Sequence, residues 1–118
     1  MVTERPRWTL DFYTDARGKS PVLEFINGQP VRDRAKVHKD LRLLRQFGTQ
    51  LGMPHARPLA GHKPKWELRP GAIRLLYFAH TGRRFIILHA FRKKGRKIPP
   101  GHIATAQRYM AEFLEGEK

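Results

Sequence analysis

The chain has 118 residues, of which 40% are hydrophobic, and this length and composition predict one folded domain over residues 1–118 and exclude a disordered chain. It contains no cysteine, which excludes disulfides, thiolate nucleophiles and cysteine metal sites. The 24 Lys and Arg residues outnumber the 10 Asp and Glu residues, and the formal net charge of +14 predicts a polyanionic partner, of which nucleic acid is the usual one.

The positive charge is also compatible with an acidic protein partner that neutralises it, or with a basic surface selected for solubility. No apolar run approaches the roughly 20 residues that cross a bilayer, and the first residues, MVTERPRWTLDFY, lack the apolar segment of a signal peptide. We therefore expect a cytoplasmic protein that does not bind membranes.

The first half of the chain predicts a strand followed by two helices. Residues 8–13 alternate and are rich in aromatic side chains, which is typical of a strand. Ser20 as the cap and Pro21 at the first helical position begin a short helix, which Gly28 ends. A second helix is predicted over residues 31–51, because apolar side chains recur there at helical spacing. Its other face, either a solvated surface or a contact for nucleic acid, carries Arg32, Arg34, Lys36, Lys39, Arg42 and Arg45.

The second half predicts three strands and a final helix. Residues 53–64 are rich in proline and glycine and are predicted to form a loop. Three strands follow, joined by two-residue turns at Pro70-Gly71 and Thr81-Gly82. The pair Pro99-Pro100 introduces a helix that Gly116 ends. The predicted order is β-α-α-β-β-β-α, an α+β fold in which helices cover one face of an antiparallel-dominated sheet.

These turns set the pairing of the strands, and side chains directly opposite one another share a face. Glu67 then pairs with Arg74, and Arg74 pairs with His89, so that the three polar side chains form one row. Arg69 lies in the next row on one side of Glu67, and Lys65 lies in the next row on its other side. The opposite face is the predicted core and carries Trp66, Leu68, Ile73, Leu75, Tyr77, Ile86 and Leu88.

A basic run, Arg92 to Lys97, directly follows the last strand. It adjoins the polar end of the sheet, and the chain is predicted to leave the sheet at Gly95, so that several cations can surround one anionic group. The substrate-binding residues that we predict are Lys65, His89, Arg92, Lys93 and Lys97.

Cleavage of RNA without a metal needs a base for the 2′-hydroxyl proton, positive donors for the phosphate and an acid for the departing 5′-oxygen. Glu67 is the candidate base. Arg69 and Arg74 are the candidate phosphate ligands, because a guanidinium matches two phosphate oxygens. Lys94 or His89 is the candidate acid. The alternative is that Glu67 and Arg74 form an ordinary cross-strand ion pair and that His89 is a core histidine.

Metal and cofactor chemistry is not predicted. The six histidines lack the spacing of a metal site, and there is no glycine-rich phosphate loop. The single serine, Ser20, is a predicted helix cap, which argues against serine–histidine catalysis.

Several segments taken together resemble a known family. They are Trp66-Glu67-Leu68-Arg69, RLLYF from Arg74 to Phe78, LHAFRKK from Leu88 to Lys94, Pro99-Pro100, and Ile103, Ala106 and Arg108. In these segments the chain resembles the RelE/HigB-like toxins of bacterial type II toxin–antitoxin systems, in particular the phage-derived subgroup of the RelE/ParE superfamily. The resemblance implies the small RelE/ParE-like fold and a metal-independent endoribonuclease that cleaves mRNA, often at the ribosome, and so inhibits translation.

The resemblance also implies partners and catalytic residues. The partners are mRNA, the ribosome and a cognate antitoxin, often a small helix-turn-helix protein. Arg69, Arg74 and Lys94 lie where such toxins commonly keep basic catalytic residues. Glu67 lies where some members have a lysine and others an acid, which leaves the base open. Two other functions stay open as well: ParE-like relatives share the fold and inhibit DNA gyrase by binding, and a non-catalytic nucleic-acid binder would carry the same charge.

Overall fold

Five strands and three α-helices form in residues 7–61 and 63–117, the part of the chain that the computed structural model describes. In chain order they are β1 (Thr9–Phe12), α1 (Pro21–Asn27), α2 (Val31–Phe47), β2 (Ala56–Pro58), β3 (Trp66–Leu68), β4 (Ile73–His80), β5 (Arg84–Arg92) and α3 (Pro100–Gly116). The sheet order is β1-β5-β4-β3-β2, with β1 parallel to β5 and the other pairs antiparallel. The predicted α+β fold is confirmed. Within this described part of the chain, no helix is long and apolar enough to cross a membrane.

Local signals mark the start of α1 and the end of α2. The Ser20 hydroxyl accepts a hydrogen bond from the backbone N–H of Leu23 at 3.2 Å, which confirms the predicted cap. α2 ends at Phe47 rather than at residue 51. The reason is Gly48, which adopts a φ of 60° and at which a Cβ would lie 2.0 Å from the indole nitrogen of Trp8. The close approach of Trp8 therefore requires glycine and stops the helix there.

The strand β2 lies in a segment for which the sequence predicts a loop. Ala56 pairs with Leu68, so that β2 forms an edge of the sheet. Three residues are too few to show strand periodicity, and Pro58 is tolerated because an edge strand leaves one side unpaired. The pairing places Arg57 directly opposite Glu67.

Helices cover both faces of the sheet, and the prediction that they cover one face is wrong. The face under α1 and α2 carries Leu68, Ile73, Leu75, Tyr77, Phe85 and Ile87. The face under α3 carries Leu76, Phe78, Ile86, Leu88 and Phe91, which pack with Ile103 and Ala106. The central strand β4 is apolar on both faces apart from Arg74 and His80 at its end, so leaving either face in water would expose a large apolar area.

The turn between β3 and β4 lies one residue later than predicted. The backbone N–H of Ile73 donates to the Pro70 carbonyl at 2.9 Å, which places Gly71, with a φ of 57°, at the first central position. Moving a turn by one residue shifts the strand register by two. Because side chains alternate with a period of two, Glu67 and Arg74 still share a face, as diagonal neighbours instead of a directly opposed pair.

The hairpin of β4 and β5 contains a three-residue loop and a β-bulge. The extra loop residue and the bulge each shift the pairing of β4 with β5 by one residue. Arg74 therefore pairs with Phe91 and not with His89 as predicted. The bulge leaves Leu88 as an extra residue in β5. On the turn side of the bulge, the extra loop residue alone shifts the register by one, so that Tyr77 pairs with Ile87 and not with Ile86. Ile86 and Leu88 therefore pack against α3 and not on the predicted core face.

Candidate functional site

Three neighbouring strands bring arginines to one end of the sheet. Arg57 in β2 lies opposite Glu67 in β3. Arg69 directly follows β3, and Arg74 is in β4. The chain that leaves β5 is held at this end by a 2.7 Å hydrogen bond from the Lys93 N–H to the β3–β4 turn. The resulting cavity, termed the arginine pocket, is lined by Arg57, Glu67, Arg69, Arg74, Phe91, Lys93, Lys94, Gly95, Arg96, Lys97 and Ile98.

Glu67 is a buried carboxylate at the centre of the arginine pocket. It is 1% exposed, and its Oε1 accepts hydrogen bonds from Arg57 Nε and Arg69 Nη1, both at 3.0 Å. Its Oε2 lies 4.0 Å from Arg74 Nε. A carboxylate buried without partners is strongly disfavoured, so the three guanidiniums allow Glu67 to be buried. In return, the carboxylate fixes their positions.

Arg74 is the most buried of the three arginines. Its Nη1 donates to the carbonyls of Gly71 at 2.7 Å and Ile73 at 2.8 Å. Burial lowers the pKa of Arg74, the positive charge of Arg69 lowers it further, and Glu67 opposes both effects. A guanidinium nevertheless stays protonated in proteins. The pocket therefore keeps a positive charge whose orientation is set by the backbone of a turn.

The segment that follows β5 lines the pocket with basic, exposed side chains. Gly95, within this segment, adopts a φ of 84°, a conformation that glycine takes without strain. The exposed basic side chains there are Lys93, Lys94, Arg96 and Lys97. Among the described residues that line the pocket, seven are cationic and one, Glu67, is acidic. This excess of positive charge concentrates anions in the pocket.

The size of the pocket suits one small anion. Its volume is about 40 Å³, whereas one water needs roughly 10–15 Å³. A phosphate group fits, and a whole nucleotide does not. Guanidinium forks bind phosphate oxygens in pairs, and lysines can donate protons at short range. In residues 7–61 and 63–117, no group of three or more His, Asp or Glu side chains is placed to hold a metal ion.

The pocket brings together most of the residues that the sequence singles out. Those that line it are Glu67, Arg69, Arg74, Lys93, Lys94 and Lys97. Lys65, His89 and Arg92 lie elsewhere. The catalytic and binding roles of all nine residues stay predictions.

Arg92 lies on the other face of the sheet. Its Nη2 donates to Gln29 Oε1 at 2.6 Å and to Asp33 Oδ2 at 2.9 Å, near the start of α2. Because β5 continues through Arg92 and side chains alternate, Phe91 faces the pocket and Arg92 faces away from it. The structure therefore places Arg92 apart from the lysines that line the pocket, and its role in substrate binding stays a prediction.

His89 lies beside the pocket and is not among the residues that line it. Its Nε2 is 2.8 Å from Nδ1 of His102 in α3, and the His102 ring stacks on Phe91 with 4.0 Å between the ring centres. Burial, and to a smaller degree the charge of His102, lower the pKa of His89 to about 4. Burial also lowers the pKa of His102. Because the pKa of both rings is lowered, the pair is neutral near neutral pH, and one ring donates the hydrogen bond that the other accepts.

Lys65 is exposed and directly precedes β3. Its carbonyl accepts a hydrogen bond from the backbone N–H of Leu59 at 2.6 Å. Its side chain lines a groove beyond the arginine pocket, together with Lys63 and Gln107.

Arg57 lines the pocket although no pattern in the sequence singles it out. It lies in the proline-rich segment predicted to be a loop. Its position beside Glu67 depends on the pairing of β2 with β3, which no local sequence pattern predicts. Arg96 belongs to the predicted basic run without having been assigned a role, and it also lines the pocket.

Comparison with known families gives a match over most of the chain. The family model described as phage-derived protein Gp49-like (DUF891) matches residues 24–111, a range that contains every residue lining the arginine pocket. A search of the curated proteins finds no match. The chain therefore belongs to the Gp49-like family of phage-derived proteins, which is a family of RelE-like toxins.

Proposed function

We propose that this protein is the toxin of a type II toxin–antitoxin system, of the RelE/HigB subgroup, and a metal-independent endoribonuclease that cleaves mRNA. Family membership supports the toxin class. One observation supports cleavage: guanidiniums held by a buried carboxylate line the same small pocket as exposed lysines. A surface that only binds RNA needs the charge, whereas catalysis also needs this fixed geometry.

In the proposed reaction the 2′-oxygen attacks the adjacent phosphorus and the 5′-oxygen leaves, which yields a 2′,3′-cyclic phosphate and a 5′-hydroxyl. Arg69 and Arg74 hold the non-bridging oxygens, on which negative charge accumulates in the transition state. Arg57 is the most exposed of the three arginines that surround Glu67, so it can turn from that carboxylate towards the phosphate with the least rearrangement.

Lys94 is the proposed acid for the departing 5′-oxygen. It is exposed and lines the pocket together with the arginines. The neutral pair of His89 and His102 makes His89 the weaker candidate, because a neutral imidazole is a poor acid.

Glu67 has two possible roles in this reaction. Its Oε2, the oxygen that is not bonded to Arg57 or Arg69, is the atom that would accept the 2′-hydroxyl proton. Alternatively, Glu67 only positions the arginines. The variant Glu67→Gln separates the two: loss of cleavage with retained RNA affinity supports the base, and a parallel loss of both supports positioning.

The test of the proposed function is induction in bacterial cells followed by mapping of RNA 5′ ends. We expect growth inhibition, new 5′-hydroxyl ends inside coding regions and an early stop of translation. Arg69→Ala should remove all three effects, and Arg42→Ala on the exposed face of α2 is the matched control. Intact mRNA with DNA damage would contradict the nuclease and support inhibition of gyrase. We also propose that the protein acts at the ribosome, is bound by a small antitoxin and is located in the cytoplasm.

A further inference from the structure

A groove continues from the arginine pocket along α3. It runs between α3 and the chain that connects β2 to β3, and it shares Arg57, Arg96 and Lys97 with the pocket. This surface is termed the α3 groove, and beyond the pocket its walls are formed mainly by Leu59, Lys63, Lys65, Ile103, Ala104 and Gln107.

We infer that the α3 groove binds the single-stranded RNA that flanks the phosphate in the arginine pocket, an inference that rests on the proposed function. The first argument is size. The pocket has a volume of about 40 Å³ and the part of the groove next to it about 750 Å³. Sites for organic ligands usually have about 300–1,000 Å³. The neighbouring nucleotides cannot enter the pocket, and the groove has room for them.

The second argument is charge. The groove carries Arg57, Arg96 and Lys97 at its pocket end and Lys63 and Lys65 at its far end. The described residues that line it include no Asp or Glu. A depression beside the other end of α3 differs, because its lining includes Asp15, Glu112 and Glu117. The groove thus continues the positive charge of the pocket along one path, as a strand of phosphates requires.

The third argument is the apolar floor. Leu59, Ile98 and Ile103 line the groove together with its cations. Binding sites for single strands combine cations for the phosphates with apolar or aromatic surfaces for the unstacked bases. A duplex hides its bases in the stack, so an apolar floor favours a single strand over a duplex.

The experiment inserts one negative charge into the groove without changing shape. Gln107 is exposed and lines the groove outside the arginine pocket, so Gln107→Glu leaves the proposed catalytic residues in place. Gln50→Glu is the matched control, because Gln50 is exposed, lies after α2 and undergoes the same change of net charge. The probe is a fluorescent RNA of about eight nucleotides with 2′-O-methyl groups, which the proposed reaction cannot cleave.

We expect Gln107→Glu to weaken binding of this RNA by about tenfold and Gln50→Glu to change it by less than about twofold. A dinucleotide should bind both variants alike. In Lys63→Ala/Lys65→Ala, the slope of log affinity against log salt concentration should fall by about 0.7 for each phosphate that the two lysines neutralise in the wild type.

Equal RNA affinities of Gln107→Glu and Gln50→Glu would overturn the inference. So would wild-type protein that binds the dinucleotide as tightly as the longer RNA, or groove variants that lose only the antitoxin. In these cases mRNA cleavage in cells would still support the proposed function. Conversely, length-dependent binding in the groove without any cleavage supports the groove and contradicts the nuclease.

Discussion

Two regions of the molecule are rich in positive charge, and they differ in how the cations are held. The exposed face of α2 carries basic side chains at helical spacing, and Arg32, Lys36, Lys39, Arg42 and Arg45 are all exposed. In the arginine pocket, by contrast, Glu67 and the carbonyls of a turn hold the guanidiniums in place. Exposed charge attracts an anion over a distance, whereas fixed donors can stabilise a transition state. The number of cations therefore does not by itself identify a site.

The largest expected effect comes from removing the carboxylate that distinguishes the two regions. Glu67→Ala leaves Arg57, Arg69 and Arg74 facing one another with no counter-charge, two of them partly or largely buried. We expect the free energy of unfolding to fall by about 3–5 kcal/mol, measured by urea denaturation. The control is Glu24→Ala, an exposed acid in α1, for which about 0.5 kcal/mol or less is expected. Similar values for the two variants would mean that Glu67 does not hold the arginines.

The next effect concerns the arginine with the most fixed geometry. Arg74→Ala should lower the rate of RNA cleavage by about 10²–10³-fold, because one oriented donor to the phosphate is lost. Arg74→Lys should also be impaired, since it keeps the charge and loses the fork. Single-turnover cleavage is the measurement, and circular dichroism checks the fold. Full activity of Arg74→Lys would show that charge without orientation is enough.

A smaller effect is expected from the histidine pair that adjoins the pocket. The ordinary pKa of His89 is 6.5, and in the folded protein it is about 4. Between these values the unfolded chain binds a proton that the folded chain does not, so the free energy of unfolding falls as the pH falls from 6.5 to 4. Allowing for partial exposure of the ring, we expect a loss of about 1–2 kcal/mol. The stabilisation is fully present above pH 6.5.

Urea denaturation of the wild type and of His89→Gln across this pH range measures the effect. The difference in unfolding free energy between the two proteins should change with pH, because only the wild type has the His89 ring to titrate. A constant difference would show that burial of His89 does not affect its protonation.

The smallest effect is expected on the exposed face of α2. Lys39→Glu/Arg42→Glu should change the rate of cleavage of a short free RNA by less than about twofold at physiological salt. The reason is that α2 packs on the sheet face opposite the arginine pocket, and salt screens exposed charges that are not close to the phosphate. The matched comparison is Lys93→Glu/Lys94→Glu, which reverses the same number of charges in the pocket wall. If both double variants lower the cleavage rate equally, the cations of the pocket and those of α2 do not differ in their contribution to cleavage.

The fold could be predicted where local signals are strong. The cap at Ser20 and the proline pair before α3 identify helix starts, because they act on the nearest backbone groups. β2 could not be predicted, because it exists only through its pairing with β3. The sequence does not predict helices on both faces, because the apolar residues at consecutive positions of β4 are also compatible with one core face and one mixed face.

Part of the candidate site can be predicted from the alternation of side chains along the strands. Glu67, Arg69 and Arg74 share a face despite the wrong register, since each error amounted to two residues. The predicted position of Arg92 differs from the observed one, because β5 extends through this residue and its side chain lies on the other face of the sheet. Arg57 was missed with the strand that carries it.

By itself the sequence determined the net charge, the helix starts and the alternation of side chains along each strand, because these depend on composition or on residues close in the chain. The tertiary structure alone decided which turn residue is central, where the bulge lies and which arginines meet Glu67. Those features depend on contacts between segments far apart in the chain. Most of the charged residues of the arginine pocket can thus be identified from the sequence, whereas the place of Arg57 and the distances between the side chains depend on strand pairing.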